Sequence, residues 1–255
     1  MGYNIKDMDE KKVSAMRAGG KIMAQIFADL REFTQPGKTG KEIDKWVEQQ
    51  ILAAGAGVAY YEPEVNFPGS ICISVNDELI HGTPKDIPLE EGDKVSYDLV
   101  IKYHGYYVDS AFTMIVGKPT AAQKHLLSFT ESSLYEGIEQ VCDGAKLGDI
   151  GAAVQKTLEK GKLGVIRNYV GHGIGTSMHM PPEVPNYGKK GQGLTLHTGD
   201  TICIEPMSSL GKPDTIVVED DNDGWTVCLR DGSLGCHFEH TILVTDDGYE
   251  ILTQA

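Results

Sequence analysis

The chain of 255 residues is 40% hydrophobic and 24% charged, with a formal net charge of −14 at pH 7. This composition is typical of a globular chain that buries a core, and the negative charge argues against a broad nucleic-acid or anionic-membrane surface. No run approaches the roughly 18 apolar residues that a membrane helix needs. The five cysteines form no CxxC pair, so the sequence predicts neither a disulfide framework nor a cysteine zinc site, which fits a reducing cytoplasm.

Apolar spacing predicts four amphipathic helices in two consecutive pairs. They span residues 8–33, 40–54, 120–141 and 149–160. β-rich stretches follow each pair, at 70–75 and 94–117 and then at 201–210 and 224–253. Because no Pro- or Ser-rich linker separates the two repeats, we predict one α+β domain over 1–255 with pseudo-symmetric halves, 1–119 and 120–255.

Two aspartates stand inside the predicted hairpin VSYDLVIKYHGYYVDSAF, where a sheet favours apolar or β-branched residues. A two-residue turn at its His-Gly step pairs Asp98 with Ala111 and Asp109 with Val100, so both carboxylates share a face. Carboxylates that close repel unless a cation or a shared proton lies between them. A polar, solvent-facing sheet is the alternative interpretation, and a metal site is the sharper hypothesis.

The second half of the chain repeats this pattern. GDKVSYD, which ends in Asp98, and GDTICIE, which ends in Glu205, share a Gly-Asp turn, an alternating strand and a final acid. Each half has a second acid on a later strand, Asp109 and Glu239. If the four carboxylates meet at the pseudo-twofold axis, their negative charges balance two divalent cations.

The segment YVGHGIGTSMHMPPEVPNYG supplies an imidazole. His172 lies between Gly171 and Gly173, where the backbone can wrap closely around an ion. The glycine spacing differs from the dinucleotide fingerprint, and Pro181 and Pro182 follow where a helix should open, which argues against nucleotide binding.

Three of the eight histidines are functional candidates from their context: His172, His179 and His81. The other five are interpreted as structural residues with satisfied hydrogen bonds. They are His104, His125, His197, His237 and His240.

Five of these residues, in their motifs, resemble the metal-ligand signature of the type I methionine aminopeptidases, members of the pita-bread metallopeptidase superfamily. They are Asp98, Asp109, His172 in GHGIG, Glu205 in IEPM and Glu239 in FEHT. The similarity covers essentially the whole chain, from MRAGG to the last strand. It implies a pita-bread fold, in which a central curved, mainly antiparallel sheet is covered by two helix pairs.

The resemblance also implies roles for the ligands. Asp98 would chelate one of two divalent metal ions, His172 and Glu205 would hold the other, and Asp109 and Glu239 would bridge them. Mn, Fe, Co and Zn all suit this mixed ligand set. Two such cations activate a water molecule and polarise the scissile carbonyl.

Three side chains are expected to take part in catalysis. Glu205 would carry a proton to the leaving amine. His179 would contact the carbonyl oxygen as charge develops, and His81 would face the scissile amide nitrogen or the next residue. The alternative interpretation of both histidines is a loop side chain bonded to backbone.

By the same resemblance, an apolar pocket beside the metals would hold the methionine side chain. Its expected lining is Phe67, Cys72, His81, Met178, His179 and Trp225. Core packing is the alternative for each. Met178 stands where the family commonly has an aromatic residue, and Glu64 where a pocket tyrosine is expected, so the rim is expected to differ in shape.

We therefore predict a cytoplasmic, monomeric metallo-exopeptidase that removes the initiator methionine from nascent polypeptides whose second residue is small. The ribosome is a candidate transient partner, and no nucleic acid or membrane is bound directly. The start of the chain itself, Met1-Gly2, fits such an enzyme and predicts self-processing. The alternatives are an Xaa-Pro aminopeptidase or dipeptidase of the same fold, which usually carries an extra amino-terminal domain, and a non-catalytic relative, which tends to lose ligands.

Overall fold

The computed structural model describes residues 10–218 and 223–254, so the Met1-Gly2 start lies outside the described residues. The helices are α1 Glu10–Phe33, α2 Gly40–Ala53, α3 Ala121–Ile138 and α4 Leu147–Lys160. All four predicted helices are confirmed. The largest differences are at the end of α3, predicted at Val141, and at the start of α4, predicted at Asp149.

Capping boxes set the starts of two of these helices. The Thr39 hydroxyl accepts a hydrogen bond from the Glu42 backbone N–H at 3.2 Å, and the Glu42 carboxylate accepts one from the Thr39 N–H at 2.9 Å. Thr120 and Gln123 form the same reciprocal pair at the start of α3. Each pair satisfies two backbone groups that a helix end otherwise leaves without a partner.

The strands follow where the sequence predicts β structure, with additional short strands in the connections. They are β1 Gly57–Val58, β2 Cys72–Val75, β3 Glu78–Ile80, β4 Lys94–Tyr103, β5 Tyr106–Ile115, β6 Gly164–Val165, β7 Gly171–Gly173, β8 Met180–Val184, β9 Thr201–Ile204, β10 Met207–Ser209, β11 Thr215–Val217, β12 Val227–Leu229, β13 Gly235–His237, β14 Glu239–Thr245 and β15 Gly248–Ile251.

Nine of these strands form the central sheet, in the order β1-β4-β5-β14-β9-β7-β8, with β2 beside β4 and β15 beside β14. Every pairing in it is antiparallel. Two three-stranded sheets flank it, β13-β10-β6 and β11-β12-β3. The strand β14 therefore joins the hairpin of the first half to β9 of the second half.

One hydrophobic cluster runs through both halves. It includes Met16 of α1, Ile43 of α2, Leu134 of α3 and Ile150 of α4, packed with apolar residues of the central sheet such as Leu99. Alternation along each strand then leaves the opposite face of the sheet free for other side chains. The division of a single domain at residues 119 and 120 stays a prediction. None of the described helices is long and apolar enough to cross a bilayer.

Replacing Gly20 with alanine is expected to destabilise the protein strongly. A Cβ atom at this helix position would lie 1.8 Å from the backbone oxygen of Leu252, so α1 and the C-terminal segment must separate. Overpacking of this kind costs about 1–3 kcal/mol or more, which thermal unfolding will detect. Lys21→Ala, on the exposed side of the same turn, is the control and should unfold close to the parent. Equal melting temperatures for the two variants would contradict this close approach.

Candidate active site

The hairpin of β4 and β5 has the predicted register. Asp98 pairs with Ala111 and Val100 with Asp109, as the two-residue turn requires. The turn residues His104 and Gly105 both have positive φ, 48° and 89°, the backbone of a type I′ turn.

Pairing between the halves brings the second set of acids to the same place. Glu239 on β14 pairs with Ala111, which is also the partner of Asp98 on the other side. Glu205 follows directly after the paired residue Ile204, and continuing that register sets it beside Glu239. Because directly opposite residues in a sheet share a face, the carboxylates converge there.

A second row of side chains on the same face lies two residues further along the strands. Asp109 is held to β14 by two bonds of Thr241 Oγ1, which accepts from the Asp109 N–H at 3.0 Å and donates to its carbonyl at 2.7 Å. Thr241 in turn pairs with Cys203 of β9. His172 on β7 lies across from Cys203, since its neighbour Gly173 pairs with Ile202.

The four carboxylates and His172 line a cavity of about 140 Å³. All eleven residues predicted for the site line it: Phe67, Cys72, His81, Asp98, Asp109, His172, Met178, His179, Glu205, Trp225 and Glu239. Three further lining residues, Tyr60, Val65 and Val100, escaped the sequence analysis. The structure thus brings together every predicted site residue, while their individual roles stay predictions.

His172 is oriented with one ring nitrogen towards the acids. Its Nδ1 lies 3.0 Å from the Gly173 carbonyl oxygen and donates to it, which leaves the lone pair on Nε2. That Nε2 lies 3.7 Å from Asp109 Oδ2 and 3.6 Å from Glu205 Oε1. Donor atoms of Asp109, His172, Cys203 and Glu239 all lie within 4.8 Å of one another.

The buried carboxylates lack enough protein partners. Among the described residues, Asp109 Oδ1 and Glu239 Oε1 are buried without a hydrogen bond. Burial, followed by repulsion from Glu239 and Asp98, raises the pKa of Asp109 well above its usual value. Burial and neighbouring acids likewise raise the pKa of Glu205 and Glu239. A donor set of crowded carboxylates and one oriented imidazole fits divalent cations, which would offset both the repulsion and the unpaired oxygens.

Asp98 has a partner that the sequence did not predict. The Tyr60 hydroxyl donates to Asp98 Oδ1 at 2.6 Å. Burial raises the pKa of Asp98 to about 6, although this hydrogen bond favours the charged form. Tyr60 is itself buried and lies in a short 3-10 turn, Ala59–Tyr61, that has no strand or helix periodicity.

The other two candidate histidines of the cavity, His81 and His179, have neutral rings. Burial lowers the pKa of His81 to about 4 and also lowers the pKa of His179, so both rings are neutral at pH 7. Neither ring forms a hydrogen bond within the described residues, which disfavours their interpretation as loop side chains bonded to backbone. The His179 ring packs edge-on against His172, with centroids 4.5 Å apart.

The structure contradicts the interpretation of His237 as a structural histidine with satisfied hydrogen bonds. It is 1% exposed, and neither Nδ1 nor Nε2 has a hydrogen-bond partner in the described part of the chain. Its Nε2 lies 3.8 Å from Glu205 Oε2 and 3.9 Å from Glu239 Oε2. By contrast, His125 and His240 are bonded as expected, to Gly161 O and Thr253 Oγ1, each at 2.8 Å.

The apolar end of the cavity contains the expected side chains. Phe67 contacts Trp225 edge-on, with ring centroids 5.4 Å apart, and Met178 is buried. Glu64 is exposed and is not among the residues that line the cavity, and the expectation of a rim with a different shape stays a prediction. Val65 and Tyr60 from the same segment do line the cavity.

Comparisons with known proteins agree with this geometry. The model of metallopeptidase family M24 matches residues 14–246. Methionine aminopeptidase 1 of Bacillus subtilis is 39% identical over 244 residues, covering 96% of this chain and 97% of the relative. The crystal structure of methionine aminopeptidase from Rickettsia prowazekii superimposes with a TM-score of 0.92 at 41% identity, covering 96% of this chain and 97% of that one.

A third comparison concerns the fold alone. Prolidase from Pyrococcus furiosus superimposes with a TM-score of 0.75 at 21% identity, and the match covers 96% of this chain but 64% of the prolidase.

The chain belongs to metallopeptidase family M24. Curated relatives that match it over nearly their whole length, such as those of Bacillus subtilis and Rickettsia prowazekii, are methionine aminopeptidases, so the predictions of a pita-bread fold and of a metal-dependent aminopeptidase are confirmed.

Proposed function

We propose that this chain hydrolyses the peptide bond after an amino-terminal methionine, with Asp98, Asp109, His172, Glu205 and Glu239 holding two divalent cations. The observation that carries the proposal is the cavity in which this donor set adjoins an apolar end formed by Phe67, Cys72, Met178 and Trp225. When bound, the cations activate water and polarise the scissile carbonyl.

The protein side chains supply proton transfer and orientation. Glu205, whose carboxylate oxygens face His172 and His237, accepts a proton from the attacking water and delivers it to the leaving amine. The neutral rings of His179 and His81 donate N–H groups to the carbonyl oxygen and to the region of the scissile amide. The apolar end grips an unbranched thioether through dispersion and sulfur–aromatic contacts with Phe67 and Trp225.

The cellular setting is part of the proposal. All five cysteines are free, which fits a reducing cytoplasm. We place the enzyme there as a monomer that acts on nascent polypeptides with a small second residue, with transient contact at the ribosome. Mn, Fe, Co and Zn are the candidate ions.

The test compares methionine release from a Met-Gly-Met peptide with cleavage of an Xaa-Pro peptide, each with and without a chelator. We expect chelator-sensitive cleavage of the first peptide alone. Cleavage of the Xaa-Pro peptide alone would assign the alternative peptidase activity. An absence of chelator-sensitive cleavage of both would leave a binding protein and overturn the proposal.

Removing the Tyr60 hydroxyl is expected to weaken cation binding. In Tyr60→Phe the carboxylate of Asp98 loses its 2.6 Å hydrogen bond, which orients it towards the other ligands. Loss of such an outer partner typically costs about 10–100-fold in metal affinity or activity. Titration of the metal-free protein with Co(II) by calorimetry measures the change. The neighbouring exposed tyrosine gives the matched control, Tyr61→Phe, and equal affinities for both variants would contradict the role of Tyr60.

A further inference from the structure

His237 is a buried imidazole whose position suits a role in the active site. It ends β13, and only Phe238 separates it from Glu239, the first residue of β14; its Nε2 lies 3.9 Å from Glu239 Oε2. The pairing of His237 with Met207 also brings it next to the segment that carries Glu205. Neither ring nitrogen has a hydrogen-bond partner in the described chain.

A buried imidazole without hydrogen bonds destabilises the folded protein. A buried donor without a partner costs about 1–3 kcal/mol, so an imidazole that only filled space here would be disfavoured against an apolar side chain. The ion-pairing groups within 4.0 Å of its Nε2, among the described residues, are the carboxylates of Glu205 and Glu239, at 3.8 Å and 3.9 Å. The ring therefore faces two of the proposed ligands.

The hydrogen bonding at Nδ1 differs between His172 and His237. A metal-ligating histidine nearly always donates its other N–H to a carbonyl or carboxylate, as the Nδ1 of His172 does to Gly173 at 3.0 Å. His237 has no such acceptor at Nδ1 among the described residues. A proton on Nε2 points towards the two carboxylates, at 3.8 Å and 3.9 Å, whereas a proton on Nδ1 has no such acceptor among the described residues. This geometry disfavours His237 as a ligand and favours it as a donor.

We propose that His237 is a positioning residue that donates Nε2–H to Glu205 and fixes the orientation of its carboxylate. The two oxygens of Glu205 then have different partners, because Oε1 lies 3.6 Å from His172 and Oε2 lies 3.8 Å from His237. The second separation is longer than a hydrogen bond, and catalytic hydrogen bonds often shorten only in the loaded enzyme. The inference rests on the proposed function of the site.

The experiment compares His237→Met, which removes the donor at similar bulk, with His237→Gln, which keeps an N–H donor. The matched control is His240→Met, which removes a partly buried imidazole three residues away that is bonded to Thr253. For each full-length protein, calorimetry gives the Co(II) dissociation constant of the metal-free form, and kinetics with a Met-Gly-Met peptide give kcat and KM. Pulsed EPR of the Mn(II) form counts bound imidazoles.

We expect His237→Met to weaken Co(II) binding about 10–100-fold and to lower kcat with little change in KM, and His237→Gln to recover most of both losses. His240→Met should change neither the Co(II) dissociation constant nor kcat by more than a few-fold. One bound imidazole is expected in the parent protein. If His237→Met does not fold, His237→Asn replaces it, since its amide is too short to reach Glu205.

Two results would overturn the inference alone: an active parent in which His237→Gln is as impaired as His237→Met, or an EPR signal from two imidazoles that falls to one in His237→Gln. A parent protein that binds no Co(II) or releases no methionine would instead overturn the proposed function, and this inference with it.

Discussion

Asp109→Asn is expected to abolish nearly all turnover and to leave the metal-free protein more stable than the parent. Asp109 is buried at the centre of the acids, and its Oδ1 has no hydrogen bond in the described chain. Asparagine keeps the shape but removes one of the charges proposed to bridge the cations. A loss of about 4 kcal/mol of charge stabilisation corresponds to a decrease of about 10³-fold in kcat/KM.

The gain in stability comes from the same charge. Burial, followed by repulsion from Glu239 and Asp98, raises the pKa of Asp109, so folding without cations buries and crowds these acids at a cost. Removing one of them should raise the melting temperature of the chelated protein by about 2–4 °C for each kcal/mol relieved.

The measurements are methionine release, Mn(II) calorimetry and thermal unfolding after chelation. The control is Asp29→Asn on the exposed face of α1, which makes the same change in charge far from the site. Near-normal activity of Asp109→Asn in metal-depleted buffer would refute the dinuclear site. A chelated variant less stable than the parent would refute the repulsion.

Local signals explain the parts of the fold that the sequence predicts well. The register of β4 and β5 follows from a two-residue turn and strict alternation, both of which lie between Lys94 and Ile115, and the pairing of Asp98 with Ala111 is confirmed. The helix pairs follow from apolar periodicity, and capping residues mark two of their starts. These features need no knowledge of distant parts of the chain.

The pairing of strands that are distant in the sequence could not be predicted from local patterns. The position of β14 between β5 and β9 places Glu239 beside Ala111, and no local pattern encodes which strands become neighbours. The internal repeat indicates equivalent acids, while the resemblance to a family supplies their convergence. Tyr60 and Val65 escaped the sequence analysis because they lie in an irregular segment, where neither the helical nor the strand period applies.

Two further residues were within reach of the sequence analysis. Cys203 lies two positions before Glu205, and His237 lies two positions before Glu239, so a strand period of two predicts that each side chain lies near its acid. An isolated histidine usually has a structural role, which is the interpretation given to His237, and no pairing of cysteines pointed to Cys203. Their spacing of two residues from a candidate ligand is the signal that identifies them.

The chelated protein is expected to lose stability as the pH rises, and divalent cations are expected to reverse that trend. Burial raises the pKa of Asp98 from 3.8 to about 6, and burial with neighbouring acids raises the pKa of Asp109, Glu205 and Glu239. A group with a raised pKa binds its proton more tightly in the folded state than in the unfolded state. Its penalty is absent below the unfolded pKa and grows as the pH rises towards the folded pKa.

Cations act in the opposite direction because they bind the deprotonated carboxylates, so their affinity increases with pH. Thermal unfolding of chelated and Mn(II)-saturated protein at about pH 5.5 and about pH 7.5 tests both signs. We expect the chelated protein to melt higher at the lower pH. At 100 times Kd the cation adds about 2.7 kcal/mol, or about 5–10 °C, with the larger gain at the higher pH.

The overall negative charge of the chain also destabilises it at high pH, and the two aspartate variants separate that effect from the effect of the site. Asp29→Asn removes one negative charge, as Asp109→Asn does, but keeps all four crowded acids. Its melting temperature should therefore depend on pH as that of the parent does. Asp109→Asn removes one raised group and should show a flatter dependence. Equal slopes for the two chelated variants, or an equal gain from Mn(II) at both pH values, would show that the carboxylates do not carry the pH effect.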